Sequence, residues 1–448
     1  MSSKIFRRTV AATAVGAMWA GGVSAALAQT TPSSMGQPIG GGQPSVRQER
    51  PDERSPSARA AENYNPTGVT VGSFRLFPLL ELDEVYNDNI YATSYGTPGL
   101  TSSFIQIVRP SLQLRSDWSN HMLNFFAIGA IGFYGGDNSS NNYGDFSVGA
   151  DGRLDIQRDW NTYGGASFNR LHEEAGTPNA ALNTTQVTRY NLIVGNLGYF
   201  QTFNRFSVRL DSRVDNYVYD PNSLGPNQGV IATTDRDRTE IREALRLNYE
   251  ISPGYVVFAR GGLNQRLYSN VPDSSGFYRN SAGWDVVGGV AIDFGGITSV
   301  EAFFGYVQQN YVDSQFRTLS APTFGLAAYW NPIRELLVKP FVIRTVNETS
   351  LDTASGYLDT LFGADVNYNL LPNIRLNALV SYDFVDYQSI NTAPSRNDQY
   401  FKGRIGLKYL PTPNFYVGPE YTYTNRTSDA PNANYGQNII MLRLGAQM

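Results

Sequence analysis

The chain has 448 residues, a formal net charge of −4 and no cysteine. The missing cysteines exclude disulfides, thiolate nucleophiles, cysteine metal sites and a lipoprotein anchor, and the mild charge does not favour a nucleic-acid partner. Aromatic residues reach 13% and charged residues only 17%, with 43 Gly and 23 Pro, which favours extended, turn-rich structure.

The N-terminus has the pattern of a secretory signal peptide over residues 1–28. Lys4, Arg7 and Arg8 precede an apolar stretch, and Ala26-Leu27-Ala28 supplies a small-x-small cleavage site. A membrane anchor is the alternative, but the apolar stretch is short. Residues 29–68 are rich in Pro, Gly, Ser and Gln, so we expect a disordered arm in the periplasm.

Residues 69–448 repeat one pattern, in which alternating segments are joined in turn by a tight turn and by a longer polar loop. No apolar run after residue 30 reaches the roughly 18 residues that a spanning helix needs. The pattern predicts an all-β, transmembrane, antiparallel up-and-down β-barrel of about 18 strands. The predicted strands are 76–91, 103–115, 120–134, 144–157, 161–173, 187–199, 204–219, 238–249, 255–268, 283–294, 298–311, 321–330, 335–348, 358–369, 374–388, 399–409, 414–424 and 437–448.

Two soluble all-β folds could show part of this pattern. A β-propeller has a similar repeat of about 40 residues, but its strands are short and its blades share motifs. A β-sandwich shows the same alternation with its apolar face in a dry core. Strand number and length favour the barrel, whose short turns face the periplasm and whose long loops face outward.

Charged residues alternate with apolar ones along several predicted strands, so they should face a hydrated lumen. Arginines dominate between residues 205 and 266, where an Arg wall would favour anionic or sugar-like solutes. Pairing of Arg with Asp across strands, which stiffens the wall, explains the pattern equally well. The predicted lumen-lining residues are Arg205, Arg209, Arg213, Arg238, Arg242, Arg246, Arg260, Arg266, Glu81, Asp83, Asp365 and Asp383.

The first predicted strand carries one misfit. Alternation directs Glu81 and Asp83 to the lumen near the closing seam, and directs Glu84 to the lipid. A carboxylate in hydrocarbon is costly. We therefore expect a local bulge at Glu84 or a position near the membrane edge.

Two stretches resemble the putative beta-barrel porin 2 family of Gram-negative outer-membrane proteins. They are "FPLLELDEVYNDNIYAT" at 77–93 and "VRPSLQLRSDWSNHMLNFFAIG" at 108–129. The family opens with a Pro-x-Leu-Glu-Leu strand ending in Tyr-Asp/Asn-Asp-Asn, followed by a Pro-x-Leu-x-Leu-x-Ser-x-Trp hairpin. The resemblance implies an outer-membrane barrel, some of whose relatives are associated with exopolysaccharide or capsule export.

No residue pattern indicates catalysis, a metal or a cofactor. His121 and His172 are the only histidines, and no local motif adds the nucleophile of a Ser-His hydrolase. A metal site at His172, Glu173 and Glu174 is disfavoured because neighbours on a strand point opposite ways. The expected partners are outer-membrane lipid and lipopolysaccharide, the barrel assembly machinery, and polysaccharide or small solutes in the lumen.

The chain's last residues, "NIIMLRLGAQM", lack the terminal Phe or Trp that is usual in outer-membrane barrels. Ile440, Leu442, Leu444, Ala446 and Met448 still alternate on one face. Two functions remain open for the barrel. One is a diffusion channel or an exopolysaccharide export conduit, and the other is a closed or plugged barrel with a structural or receptor-like role.

The predicted orientation can be tested on intact cells. A single cysteine placed in the loop at 220–235 should react with a membrane-impermeant thiol reagent, and a cysteine placed at 370–373 should not. The opposite result would reverse the orientation of the barrel.

Overall fold

The computed structural model describes residues 64–94, 99–180, 186–223, 230–231, 233–295, 297–349, 351, 353–390 and 394–448. The predicted signal peptide and residues 29–63 of the predicted arm lie outside these ranges. No helix within them is long and apolar enough to cross a membrane.

Within the described ranges, eighteen long strands and three short ones form the fold, with two short 3-10 helices in loops. The helices are Gly136–Asn141 and Thr233–Arg236, and the short strands are β1 (Val69–Val71), β9 (Asn222–Ser223) and β10 (Val230–Ile231). The long strands are β2 (Phe74–Asn87), β3 (Ser103–Ser116), β4 (Met122–Tyr134), β5 (Tyr143–Gln157), β6 (Trp160–Glu173), β7 (Thr188–Phe203), β8 (Phe206–Tyr219), β11 (Arg238–Ser252), β12 (Tyr255–Tyr268), β13 (Ser281–Asp293), β14 (Thr298–Tyr311), β15 (Leu319–Ile333), β16 (Leu336–Asn347), β17 (Ala354–Leu371), β18 (Ile374–Ser389), β19 (Arg396–Thr412), β20 (Phe415–Ser428) and β21 (Tyr435–Gln447).

Each predicted strand overlaps one long strand, so the prediction of an antiparallel barrel of about 18 strands is confirmed. The predicted strand 76–91 runs four residues past the true end of β2 at Asn87. The ends differ to a similar extent at β17, predicted as 358–369, and at β19, predicted as 399–409. The terminal residues of β17 and β19 are mixed or polar and lie beyond the alternating apolar pattern, so the pattern does not mark the true ends of these strands. The three short strands were missed.

The sheet closes on itself. Consecutive strands pair antiparallel, β8 pairs with β11 across the loop that holds β9 and β10, and β2 pairs with β21. Closure matters because lipid cannot hydrogen-bond the backbone groups of an open sheet edge. Short turns lie at one end of the barrel, with β1 and the C-terminus, and long loops lie at the other. We call these the short-turn end and the long-loop end.

The closing seam is completed by the chain's first described strand. β21 pairs with β2 from Leu79 to Asn87, while the lower part of β2 pairs with β1, from Val69 opposite Leu76. The segment before β1 enters at the short-turn end, where Asn65 accepts a hydrogen bond from Arg375 (2.9 Å). Residues 69–71 thus occupy the part of the seam that β21 does not reach.

The outer face is apolar and carries aromatic rings near both ends, as expected for a barrel in lipid. Near the short-turn end, Phe74 packs against Trp118, with ring centroids 5.4 Å apart. Near the long-loop end the paired rings include Tyr86 with Phe104, Phe146 with Phe168, Trp284 with Tyr306, and Phe401 with Tyr423.

The bulge predicted at Glu84 is absent. Glu84 pairs in register with Gln106 on β3 and Leu442 on β21, and its side chain accepts a hydrogen bond from Gln106 (3.0 Å). It lies on the outer face, next to the pair that Tyr86 forms with Phe104 two residues nearer the long-loop end. The membrane-edge alternative therefore fits, because the amide donor and the adjacent aromatic pair place the carboxylate close to the polar interface.

One seam of the barrel is only half paired. β15 and β16 share five register pairs, from Ile333 opposite Leu336 to Gly325 opposite Ile343, whereas β14 and β15 share twelve. Beyond Gly325, the described parts of these strands show no pairing. Pro322 lacks an N–H donor, which confines it to a sheet edge, and the Thr323 hydroxyl bonds the Arg344 carbonyl instead (2.7 Å).

A buried ion cluster joins the first strand to the last. Asp83 on β2 accepts from Arg109 on β3 (2.7 Å) and from Arg443 on β21 (2.6 Å), and the Asp83 side chain is 0% exposed. Glu81, 2% exposed, lies 3.7 Å from Arg443 and accepts from the Tyr416 hydroxyl on β20. The two acids thus connect four strands around the closing seam.

Replacing Asp83 by Asn should destabilise the barrel strongly. It leaves two buried guanidinium groups without their shared carboxylate, which costs about 3–5 kcal/mol in comparable buried pairs. Urea unfolding in detergent micelles measures the loss. Asp117→Asn is the control, because the Arg75–Asp117 pair is more than half exposed at Asp117 (57%). Equal, small effects of both changes would contradict the role of Asp83 in closure.

Candidate functional site: the barrel interior

Contacts between strands that are not neighbours identify the inner face, since only the concave side brings such strands together. Tyr163 on β6 donates to Asp211 on β8. Arg246 on β11 donates to Glu301 on β14 through two hydrogen bonds of 2.8 and 3.1 Å. Side chains in step with these residues along each strand therefore face the interior.

Seven of the eight predicted arginines lie on this inner face, and Arg205 does not. Arg205 precedes the first residue of β8 and is exposed in the turn after β7. The prediction that placed it within a strand was wrong by one position, because the turn residues Asn204 and Arg205 continue the alternation of the strand.

Each of the seven inner arginines bonds a carboxylate that also faces inward. The pairs are Arg209 with Asp211 (2.8 Å), Arg213 with Asp215 (2.9 Å), Arg238 with Glu240 (2.8 Å), Arg242 with Asp215 and with Glu240 (3.2 Å), Arg246 with Glu301 (2.8 Å), Arg260 with Asp285 (2.6 Å) and Arg266 with Glu348. The Arg-rich wall is therefore largely neutralised by its own acids.

The four predicted acids also point inward, but they differ in burial and in the residues that they contact. Glu81 and Asp83 are enclosed in the ion cluster at the closing seam. Asp365 on β17 lies near the short-turn end, 3.5 Å from Lys339, and its side chain is 29% exposed. Asp383 on β18 lies beside Asp359 on β17, which accepts a hydrogen bond from Asn347 (2.8 Å).

The segment that follows β6 crosses the interior at the long-loop end. This crossing segment, residues 174–180, meets the wall on the far side at three hydrogen bonds. The Tyr435 hydroxyl donates to the Gly176 carbonyl (3.3 Å), the Tyr387 hydroxyl to the Pro178 carbonyl (3.0 Å), and Asn179 to the Glu348 carbonyl (3.2 Å).

Gly176 is required where the crossing segment meets the wall. Its φ of +83° lies in the left-handed region, and an added Cβ would come within 2.6 Å of the Tyr435 ring and 2.7 Å of Ala92. A larger residue would both strain the backbone and push the segment away from β21. The sequence "EEAGTPN" did not reveal this role, since polar loops with Gly and Pro are common.

The end of the β16–β17 hairpin also turns inward. This β16–β17 tip comprises residues 344–349, 351 and 353–358, and it leaves β15 where their pairing stops. Its Val346 and Leu358 pack on Leu319 and Ala321 of β15 in one buried cluster. Arg279, in the loop before β13, donates to carbonyls of the tip at 351 and 354.

Glu348 connects the tip, the crossing segment and the opposite wall. Its carboxylate accepts hydrogen bonds from Arg266 and from the Tyr268 hydroxyl (2.6 Å), both on β12, while its carbonyl accepts from Asn179. The residue is only 7% exposed. One acid thus holds two inward segments in place.

A third inward contact lies beside the crossing segment. Arg236, in the helix before β11, donates to both oxygens of Glu173 and stacks 4.1 Å from the Tyr219 ring. Burial alone would lower the pKa of Arg236, but the adjacent Glu173 carboxylate raises it above its usual value. The guanidinium therefore stays charged and holds the start of the crossing segment.

The two halves of the interior differ in packing. Near the short-turn end, side chains such as Arg209 (25%) and Lys339 (38%) keep contact with water. At the long-loop half the inner face is a layer of buried tyrosines. These are Tyr190, Tyr217, Tyr219, Tyr268, Tyr357, Tyr387 and Tyr435. Sequence alternation did not reveal the layer, because an apolar ring facing inward breaks the expected polar face.

The sequence also gave no sign of the partner of His172. Its Nδ1 lies 2.8 Å from the Asp145 carboxylate on β5, and its ring stacks on Tyr143 with centroids 3.9 Å apart. The neighbours Glu173 and Glu174 do not join it. Among the described residues, no group of three or more His, Asp or Glu side chains could hold a metal ion.

Solved structures that resemble this chain include two Pseudomonas proteins. OpdO of Pseudomonas aeruginosa is 16% identical, with a TM-score of 0.42 and coverage of 83% of this chain and 97% of its own. A BenF-like porin of Pseudomonas fluorescens Pf-5 is 9% identical, with a TM-score of 0.45 and coverage of 84% and 100%. Such low likeness says nothing about the solute of this chain. No curated protein matches the chain.

The family resemblance expected from the first three strands is confirmed over the whole barrel. The model of the family described as putative beta-barrel porin 2 matches residues 62–448, which include all eighteen long strands. This match and the closed barrel indicate the outer membrane of a Gram-negative bacterium. The chain therefore belongs to the putative beta-barrel porin 2 family of porin-like outer-membrane proteins.

Proposed function

We propose that the protein is a narrow channel for small polar solutes, constricted at its long-loop half by the crossing segment and the β16–β17 tip. The observation that carries this proposal is the contrast between the two halves of the interior. The short-turn half has a charged, partly hydrated wall, as a solute path requires. The long-loop half is narrowed by the crossing segment, which rests on side-chain contacts, and by the tip, which pairs with β18 on one side but not with β15 on the other.

Glu348 is the residue on which closure depends most. Its charge-assisted bonds with Arg266 and the Tyr268 hydroxyl attach the tip to β12, and such bonds are about twice as strong as neutral ones. Because the Glu348 carbonyl also accepts a hydrogen bond from Asn179, loss of this attachment would loosen both inward segments. The path would then widen without any change in the barrel wall.

Export of an exopolysaccharide is the less favoured use of this interior. A polysaccharide chain needs a continuous path as wide as a sugar ring, and the crossing segment occupies the long-loop half. Export would require that segment to leave the interior. A permanently plugged barrel is the opposite alternative, and conductance measurements separate it from the channel.

Glu348→Gln should raise the single-channel conductance in planar bilayers severalfold over the wild type. The amide removes the charge that holds Arg266. Conformations in which the tip and the crossing segment leave the path should therefore be more populated. Glu243→Gln is the matched control, because Glu243 lies on the outer face, where it accepts from Ser212 (3.2 Å). We expect no change in that variant.

Two results would contradict the proposal. Folded, heat-modifiable protein that conducts neither as wild type nor as Glu348→Gln would favour the plugged barrel. A wild-type pore already large enough to pass oligosaccharides would favour the export conduit.

The Arg-rich wall should contribute mainly to stability. Arg246→Ala leaves Glu301 without its bidentate partner in a largely buried position, where loss of one partner costs about 3–5 kcal/mol. The Arg246→Ala/Glu301→Ala double variant should recover most of this loss in urea unfolding. Recovery with unchanged ion selectivity would identify the pair as structural. A large change in selectivity without destabilisation would show that the arginine acts on solutes.

A further inference from the structure

Cations on β19 differ from those of the Arg-rich wall. Lys402, Arg404 and Lys408 face inward, in step with Lys339 and Asp365 through the pairing of β16 to β19. Lys402 has no hydrogen bond or ion pair with any residue that the structure describes. Lys408 lies over the Tyr416 ring, 3.4 Å from its centroid.

Arg404 is buried and poorly satisfied. Its side chain is 11% exposed, and its single carboxylate neighbour, Glu420, lies 4.0 Å away. The Arg404 Nε atom is buried and finds no acceptor among the described residues. An unsatisfied charged donor costs about 1–3 kcal/mol or more. On β8 and β11, by contrast, each arginine has a carboxylate within hydrogen-bond distance.

Acids near the cluster do not neutralise it. Glu81 acts on Lys408 electrostatically, but it is already engaged by Arg443 and Tyr416. Glu174, in the crossing segment, attracts Lys402 without forming an ion pair, and it is exposed. Like-charged Arg375 lies directly opposite Lys408 on β18, an arrangement that destabilises a sheet.

Hydroxyl groups lie opposite two of these cations, Lys402 and Arg404. Ser381 on β18 and Thr424 on β20 lie opposite Lys402, and Thr422 lies opposite Arg404. A guanidinium offers a planar fork for a carboxylate, and neighbouring hydroxyls can exchange hydrogen bonds with a hydroxylated solute.

We propose that Lys402, Arg404 and Lys408 form an anion site inside the barrel for a small hydroxylated carboxylate, such as a sugar acid. Arg404 binds the carboxylate, the two lysines add positive charge, and the Ser and Thr hydroxyls contact the hydroxyl groups. The site rests on the proposed channel function, for which it names the solute class.

Calorimetry of the full-length protein in detergent micelles tests the site, with D-galacturonate, D-galactose and acetate as probes. Galacturonate should bind more tightly than both of the others, because only it has the carboxylate and the hydroxyls together. Arg404→Gln should weaken galacturonate binding about tenfold, since it removes a charge-assisted hydrogen bond. Arg404→Lys should weaken it less, because the charge stays while the fork is lost.

Arg158→Gln is the matched control, since Arg158 lies exposed in the turn between β5 and β6. It should bind galacturonate like the wild type. Equal weakening in Arg158→Gln and Arg404→Gln, or equal binding of galactose and galacturonate, would overturn the site. Heat modifiability checks that each variant is folded.

Conductance separates failure of the site from failure of the channel. Galacturonate should block the current of the wild type, and Arg404→Gln should conduct with a weaker block. A conducting wild type that neither binds nor is blocked by galacturonate would overturn the site and leave the channel. Galacturonate binding to a barrel that never conducts would support the site and overturn the channel.

Discussion

Closure of the sheet is the constraint on which the rest of the structure depends. In lipid, the backbone groups of an open sheet edge have no partner, so the first strand must meet the last. The join between the first and last strands is held by side-chain ion pairs as well as by backbone pairing. Asp83 lies between Arg109 and Arg443, and β1 pairs with the part of β2 that β21 leaves.

Given a closed barrel, the interior uses charge in two distinct ways. Along β8 and β11 arginines and acids lie close enough to bond each other, and the β12 arginines bond Asp285 on β13 and Glu348 in the tip, so their charge stays within the interior wall. On β19 the cations are interrupted by Gly403, Ile405 and Gly406 rather than by acids, and the nearest carboxylates belong to other strands. Composition alone would rank the first wall as the stronger anion binder. Because the arginines of the first wall already bond carboxylates and the β19 cations do not, β19 is expected to bind anions more strongly.

Much of the fold could be predicted because a barrel in lipid has two faces with opposite demands. Strand number, closure and the outward direction of residues such as Leu82 and Leu210 follow from period-two alternation. The inward segments could not be predicted, since Glu348 and Gly176 acquire their roles only through strands far away in sequence. The same holds for Asp145 and His172, which belong to different strands. Glu84 is a polar residue on the apolar outer face, and the neighbouring side chain of Gln106 satisfies it with a hydrogen bond.

The half-paired seam between β15 and β16 has a mechanical consequence. In a closed hoop of strands, resistance to shear comes from the backbone bonds of every seam, and the seam with the fewest bonds yields first. The five pairs there lie toward the short-turn end, so the wall is most compliant in its long-loop half. The adjoining strand carries Glu348 just beyond its end. A deformation of the wall at this seam would therefore act directly on the tip that carries Glu348.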